Sequence, residues 1–400
     1  MNKSFSNKWS KYFLYYVLIL IFFGIFFLYK KHDVGNDSSL SDWLINYSGG
    51  FVRRGLTGDI ILNFAYLFSI KLRDSILIFQ ICIFITYYLL VYHFLKNIIS
   101  NRLLLLAIFS PVFILYPVAE LEAFGRKELI IFLIIILYFF LDINKIKNQI
   151  IFKVFVFPIS ILIWEPVIIF YPYIFVVDLI VFRISKINKD LIILLMSYSI
   201  IFLLTLLVYT NPFPEENFKV MVDVLKKDFG ESCYMSCHYV GNQAANSFVE
   251  LLDHHVKMIE PPHLIRYFLI ILIGFFPLFF LLKISKTTRH NSNLLYLFLL
   301  AFAPSLLLYL LMYDWARIVH VSYTFMLLSY AFLLKNKFIK IDQNKLNNNQ
   351  ITKFSNKIFL VLFVIFCLGW NPKVVMRDDV ASKPVYAVPY KFYKYFLKKK

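Results

Sequence analysis

The sequence predicts an all-α integral membrane protein that crosses a bilayer many times. Three observations carry this. Hydrophobic residues make up 60% of the chain and charged residues only 16%, mean hydropathy is +0.69, and several apolar runs reach the length that spans a hydrocarbon core, roughly 18 residues. Runs such as 130–141 are apolar at successive positions, which a transmembrane β-barrel, alternating outward and inward, would not show. The net charge of +18 does not signal nucleic acid in this class, because lysine and arginine collect in cytoplasmic connections, and no nucleic-acid partner is expected.

The apolar segments fall at 12–29, 76–95, 103–118, 129–141, 151–164, 166–182, 191–209, 264–282, 294–312, 317–334 and 358–370, giving about eleven crossings within a range of ten to twelve. The first follows Lys3, Lys8 and Lys11 as a signal peptide would. It is long for one and ends in "KKHD" with no small-residue cleavage site, so it reads as an uncleaved first helix. Segment 58–70 is apolar but too short to cross and reads as a helix at the interface. Segments 129–141, 151–164 and 358–370 are short, to be extended by flanking residues or partly re-entrant.

Orientation follows from the basic residues. Connections 1–11, 96–102, 142–153, 183–190, 283–290 and 335–357 together hold 20 Lys and Arg against three acids, Asp142, Asp190 and Asp342. Acids and bases roughly balance in 30–75 and 210–263. The first set is therefore cytoplasmic, with the N-terminus inside; 30–75 and 210–263 become the first and the large outer loop of a single membrane domain, 1–400. The tail ending "FLKKK" lands outside in this count, an exception that one crossing more or fewer would remove. Cys82 and Cys367 lie in apolar spans and read as packing. Cys233 and Cys237 share the large loop with His238, His254, His255 and His263. Their spacing fits no standard zinc pattern and favours a local disulfide if the loop faces an oxidising compartment.

In this topology the dense polar islands sort to the outer face. They are "SDWLINYSGGFVRRGLTG" (41–58), "AELEAFGRKEL" (119–129), "WEP" (164–166) and "MYDWARIVH" (312–320). Charges close to hydrocarbon need a partner or a task. Each island also has a local reading. Asp314 and Arg317 can pair at i, i+3, Glu165 can sit at a helix start with Pro166 in the first turn, and Arg53–Arg54 can grip lipid phosphate. Four islands on one face point further, to a shared cavity for an anionic, lipid-linked substrate.

Arginine presents a planar fork suited to phosphate oxygens, and flanking glycines let backbone N–H groups approach an anion. Arg53, Arg54, Arg126, Lys127 and Arg317 are thus the candidate diphosphate ligands. Glycosyl transfer from a polyprenyl-diphosphate sugar would use such cations for the leaving charge and a carboxylate base for the acceptor hydroxyl, with Asp42, Glu128, Glu165 and Asp314 as candidates. Trp43, Trp164 and Trp315 adjoin three of these acids and would offer sugar platforms or membrane anchors. The acids of the first loop, Asp33, Asp37 and Asp42, are spread, which favours a mechanism with neither metal nor cofactor.

With this helix count, cytoplasmic N-terminus, large late outer loop and outer-facing arginines, the chain resembles the O-antigen polymerases of bacterial surface polysaccharide clusters and, more broadly, GT-C-like membrane glycosyltransferases. The resemblance spans nearly the whole length and rests on architecture. It implies a bacterial inner-membrane enzyme that extends repeat units on undecaprenyl diphosphate at the periplasmic face, among membrane lipids and with a chain-length regulator protein as partner. The chain departs from the pattern in two places. No arginine is followed by glycine eleven positions on, and the nearest match to an acidic pair in the first outer loop is Asp37 and Asp42. A single-sugar lipid-linked transferase shares every feature. A flippase or other transporter would place polar groups near the midplane of broken helices and repeat its halves. A membrane O-acyltransferase would embed a histidine mid-helix, for which His93 is the nearest candidate.

Overall fold

A computed structural model describes residues 3–34, 38–120, 123–142, 145–182, 189–211, 213–242, 248–288 and 293–374. Asp37 and the tail ending "FLKKK" lie outside them. The described residues are mostly helical, and among them is one antiparallel pair of three-residue strands, Ser285–Thr287 against Ile339–Ile341, in register Ser285 to Ile341. Among the described residues, six helices are long and apolar enough to cross a membrane: Ser6–His32, Leu72–Leu95, Leu191–Thr210, Pro261–Ile284, Leu294–Leu311 and Trp315–Lys335. Each coincides with an expected crossing. Two further expected crossings are the shorter apolar helices Glu128–Phe140 and Asn356–Leu368, and the remaining three are interrupted.

Segment 103–118 is not one helix. Arg102–Ile108 ends before Pro111, the chain turns, and a single helical turn follows at Tyr116–Ala119. Proline lacks the N–H that a continuing helix requires. Bare backbone at membrane depth survives only inside protein. This stretch meets that condition, since every residue from 103 to 120 is buried. Its carbonyls find donors on neighbouring helices: Tyr323 Oη to Ala107 O (2.7 Å), His320 Nδ1 to Val112 O (2.9 Å) and Tyr88 Oη to Ile114 O (2.6 Å). Segment 151–182 is divided likewise, into Ile146–Phe155, Phe157–Ile163, a 3₁₀ stretch Glu165–Phe170 and Tyr171–Val181, with Pro158, Pro166 and Pro172 in first turns.

The helix Trp315–Lys335 forms the centre, with every residue from Trp315 to Leu333 buried. Protein surrounds it on all sides, so it can carry His320, Ser322, Tyr323, Thr324, Ser329 and Tyr330 among its apolar residues. At another place in the bundle, Lys153 donates to Asp178 (2.6 Å), which also accepts from Tyr138 Oη (2.7 Å) and Tyr198 Oη (2.6 Å). Lys153 and Asp178 are fully buried, so Lys153→Met would strand the carboxylate. The expected cost is about 3–5 kcal/mol, read as a lower unfolding midpoint in detergent.

A second, smaller apolar cluster joins the connections 30–75 and 210–263. Leu40, Trp43, Leu44, Ile45 and Val52 of the first loop pack with Ile61 and Leu62 of the helix Gly55–Phe68 and with Met221, Leu225, Cys237 and Val240 of the large loop. Among its described residues the large loop contains the helices Glu215–Phe229, Ser236–Asn242 and Phe248–Lys257. Cys233 and Cys237 form a disulfide, which removes them as zinc ligands. The bidentate pair of Arg73 with Glu231 (2.9 and 2.7 Å) fastens this loop to the start of Leu72–Leu95.

Candidate functional site

The residues singled out from the four polar islands gather in one largely enclosed ionic cluster with Arg53, Arg54 and Asp314 at its rim. Asp42 opens the 3₁₀ turn Asp42–Leu44, Glu128 opens Glu128–Phe140, and Glu165 opens the 3₁₀ stretch after Trp164. Each carboxylate thus sits at a helix start, where backbone N–H groups point outward and favour negative charge. Arg54 occupies the residue before Gly55–Phe68 in the left-handed conformation, φ 63°. A non-glycine residue there costs roughly 1–2 kcal/mol, which the surrounding contacts must offset. They are strong ones. Arg54 Nε and Nη2 donate to the two oxygens of Glu165 at 2.7 and 2.8 Å, and Lys127 Nζ donates to the Arg54 carbonyl at 2.7 Å.

Arg53 approaches the same carboxylate at 4.0 Å. Opposite, Arg317 donates to Glu128 through Nε and to Asp314 through Nη1 (3.1 Å), while its guanidinium lies over Trp164, 5.5 Å from the ring centre. The i, i+3 pair foreseen for Asp314 and Arg317 therefore forms, and Glu128 joins it. Arg126 is buried beside them. With Glu128, Arg317, Tyr116 and His320 it lines a small half-open cavity close to the size of one water molecule.

Asp42 differs from the other acids. It is buried, yet neither carboxylate oxygen has a hydrogen-bond partner among the described residues. Burial alone would raise its pKa. Lys127, Arg54, Arg126 and Arg317 outweigh that and hold it below the ordinary carboxylate range. Burial also pushes Lys127 down to about 8, with Asp42 resisting the shift and Arg54 adding to it. For Glu165 the opposing burial is again overcome, here by Arg54 and Arg53, so it stays ionised. Arg53 and Arg54 are the accessible cations, their side chains 21% and 19% exposed, whereas Lys127 is completely enclosed.

Two expectations change. The glycines of 49–58 serve the protein's own packing, not an anion's approach. A Cβ on Gly49 would lie 2.0 Å from the Asn217 carbonyl oxygen, and one on Gly58 would lie 1.9 Å from that of Ile45. Nor are the three tryptophans open platforms or interfacial anchors, because all are buried. Trp43 Nε1 donates to Gly125 O (2.8 Å), Trp164 lies under Arg317, and Trp315 packs against Tyr267 and Tyr309.

Sequence reasoning passed over His320 and Gln80. His320 stood in the "MYDWARIVH" island, where its position one turn inside the following helix was the available signal. Gln80 Nε2 donates to Ser39 O (3.1 Å) and Gly125 O (3.0 Å), joining the strip that bears Asp42 to the loop that bears Arg126 and Lys127. A glutamine inside an apolar run was its only mark in the sequence. The chain matches no protein-family model, no curated protein and no solved structure.

Proposed function

We propose that this chain is a membrane glycosyltransferase of the polymerase type, extending a glycan carried on a polyprenyl diphosphate at the outer face of a bacterial inner membrane. The observation that carries the reading is Asp42, a buried carboxylate with no hydrogen-bond partner among the described residues, enclosed by Lys127, Arg54, Arg126 and Arg317. An ionised acid with open acceptor oxygens beside a cationic rim is what transfer from a diphosphate requires.

In this reading Arg53 and the outward edge of Arg54 take the diphosphate, since Arg54 commits only Nε and Nη2 to Glu165. The acceptor hydroxyl oxygen bonds to the anomeric carbon. The bond from that carbon to the diphosphate breaks with its electron pair on the departing oxygen, and the hydroxyl proton passes to Asp42. Protein cations, not a metal, stabilise the leaving charge. Glu165, Glu128 and Asp314 act as counter-ions that hold the arginines in place. The fold belonging to this reading is GT-C-like, with about eleven crossings, the interrupted segments completing the count. The Cys233–Cys237 bridge supports an outer, oxidising location for the large loop.

The test is the surface polysaccharide of a deletion strain on a gel. The expected result is a single repeat unit in place of the wild-type ladder, restored by the full-length protein. An unchanged ladder would falsify the polymerase. A transporter is the second reading, favoured by the buried break between Ile108 and Tyr116, and it predicts loss of the whole unit from the surface.

A further inference from the structure

Asp42 lies between two tethered neighbours. On its C-terminal side, Trp43 Nε1 is bonded to Gly125 O, directly before Arg126 and Lys127. On its N-terminal side, Ser41 Oγ accepts from the backbone N–H of Ser236 at 3.3 Å. Ser236 is one of the three residues between the cysteines of the Cys233–Cys237 disulfide. Cys237 is fully buried and packs in the same apolar cluster as Leu40, Trp43 and Leu44, the residues flanking Asp42. The bridge therefore bears on the strip that carries Asp42, through a hydrogen bond to the preceding Ser41 and through apolar packing.

We propose that the Cys233–Cys237 disulfide is a positioning element for Asp42, holding the carboxylate among its cations, so that transfer proceeds at full rate only in the oxidised protein. The inference rests on the catalytic reading of Asp42 given above. The groups facing Asp42 come from three further segments: Arg54 before Gly55–Phe68, Arg126 and Lys127 before Glu128–Phe140, and Arg317 on Trp315–Lys335. Glu165 and Glu128 share those cations and would compete for them if the strip carrying Asp42 moved. With the loop open, the Ser236 N–H has no fixed position from which to hold Ser41. A shift on the order of 1 Å in a reacting group can cost about 10²-fold in rate.

The test uses spheroplasts of the deletion strain carrying the full-length protein, with newly extended polysaccharide pulse-labelled and sized on gels. Dithiothreitol outside the membrane gives two electrons and two protons to the bridge, leaving two thiols and cyclic dithiothreitol. Extension by the wild type is expected to fall about 10²-fold at unchanged abundance and to return after washing and exposure to oxidised glutathione. The double variant Cys233→Ser/Cys237→Ser starts at the low level and does not respond to the reductant. Ser41→Thr, which keeps the acceptor oxygen, extends better than Ser41→Ala.

The residual activity of reduced protein supplies a readout that loss of folding alone would not move. Its acid limb shifts to higher pH, because a carboxylate released from four cations returns toward the ordinary range. Full extension by protein whose thiols are shown free by alkylation overturns the proposal, and so does a rate loss with an unmoved acid limb. If Asp42→Asn itself extends normally, the catalytic reading fails, and this inference with it. If Asp42→Asn is inactive while the reduced protein works, only the inference fails.

Discussion

Asp42→Asn is expected to lower glycan extension by about 10²-fold or more, since positioned general bases contribute roughly 10²–10⁴ to rate, and to lower abundance by less, because it also removes the charge that four neighbouring cations face. The two effects separate because of how this carboxylate is held. Neither oxygen has a hydrogen bond to lose among the described residues, and asparagine preserves its shape. What asparagine removes is the proton acceptor and the negative charge facing those cations. The wild type should lose activity on its acid side only well below the ordinary carboxylate range, as four cations keep Asp42 ionised there.

On the alkaline side a limb near pH 8 is expected, where buried Lys127 gives up its proton and the cage loses one positive charge. Lys127→Arg should move that limb upward, because guanidinium keeps its charge. The sign for stability is opposite. A lysine whose folded pKa is depressed binds more protons when unfolded, so stability rises with pH between about 8 and the unfolded value near 10.4. Activity and thermal unfolding measured over the same pH range should therefore diverge.

The second large effect concerns Arg54 and Glu165. Arg54→Ala is expected to abolish extension and also to lower abundance, because it leaves a 1%-exposed carboxylate without its bidentate partner. Breaking such a buried pair costs roughly 3–5 kcal/mol. The single variant therefore confounds two losses. The double variant Arg54→Met/Glu165→Met resolves them, since replacing both partners with apolar residues is often neutral or stabilising. Abundance on an immunoblot should recover while the ladder stays absent. Recovery of the ladder as well would reduce the pair to a structural tie. Arg53→Ala, at the rim and only loosely engaged with Glu165, should impair extension with little change in abundance.

Much of the site was legible because charges in an apolar chain are scarce and must go somewhere. Sorting the basic residues into alternate connections grouped Arg53, Arg54, Arg126, Lys127, Glu165 and Arg317, and the structure gathers the cations around Glu165, Asp42 and Glu128. The local readings were also partly right, since Asp314 pairs with Arg317 and Glu165 starts a helical turn behind Pro166. The interrupted segments were harder to see. A buried turn and a buried helix have the same apolar composition, and only Pro111 and Pro117 marked the break at 109–115. The Lys153–Asp178 pair had no local signature either, because the partners are 25 residues apart on different helices. Nor could a sequence tell glycines that admit an anion from glycines that admit a neighbouring carbonyl.

The enclosed position of Trp315–Lys335 has a consequence for biogenesis. Its mean hydropathy is 1.4, against 2.1–2.8 for the other five long helices, so it gains least from lipid on leaving the translocon. Nearly all of its length is meant for neighbours made earlier in the chain. It emerges after them, into a bundle that already presents the carbonyls of Ala107 and Val112 to Tyr323 and His320. Synthesis order and hydrogen-bond geometry thus agree, and a chain ending before residue 315 would enter the bilayer with a hollow at its axis and those two carbonyls without their side-chain donors.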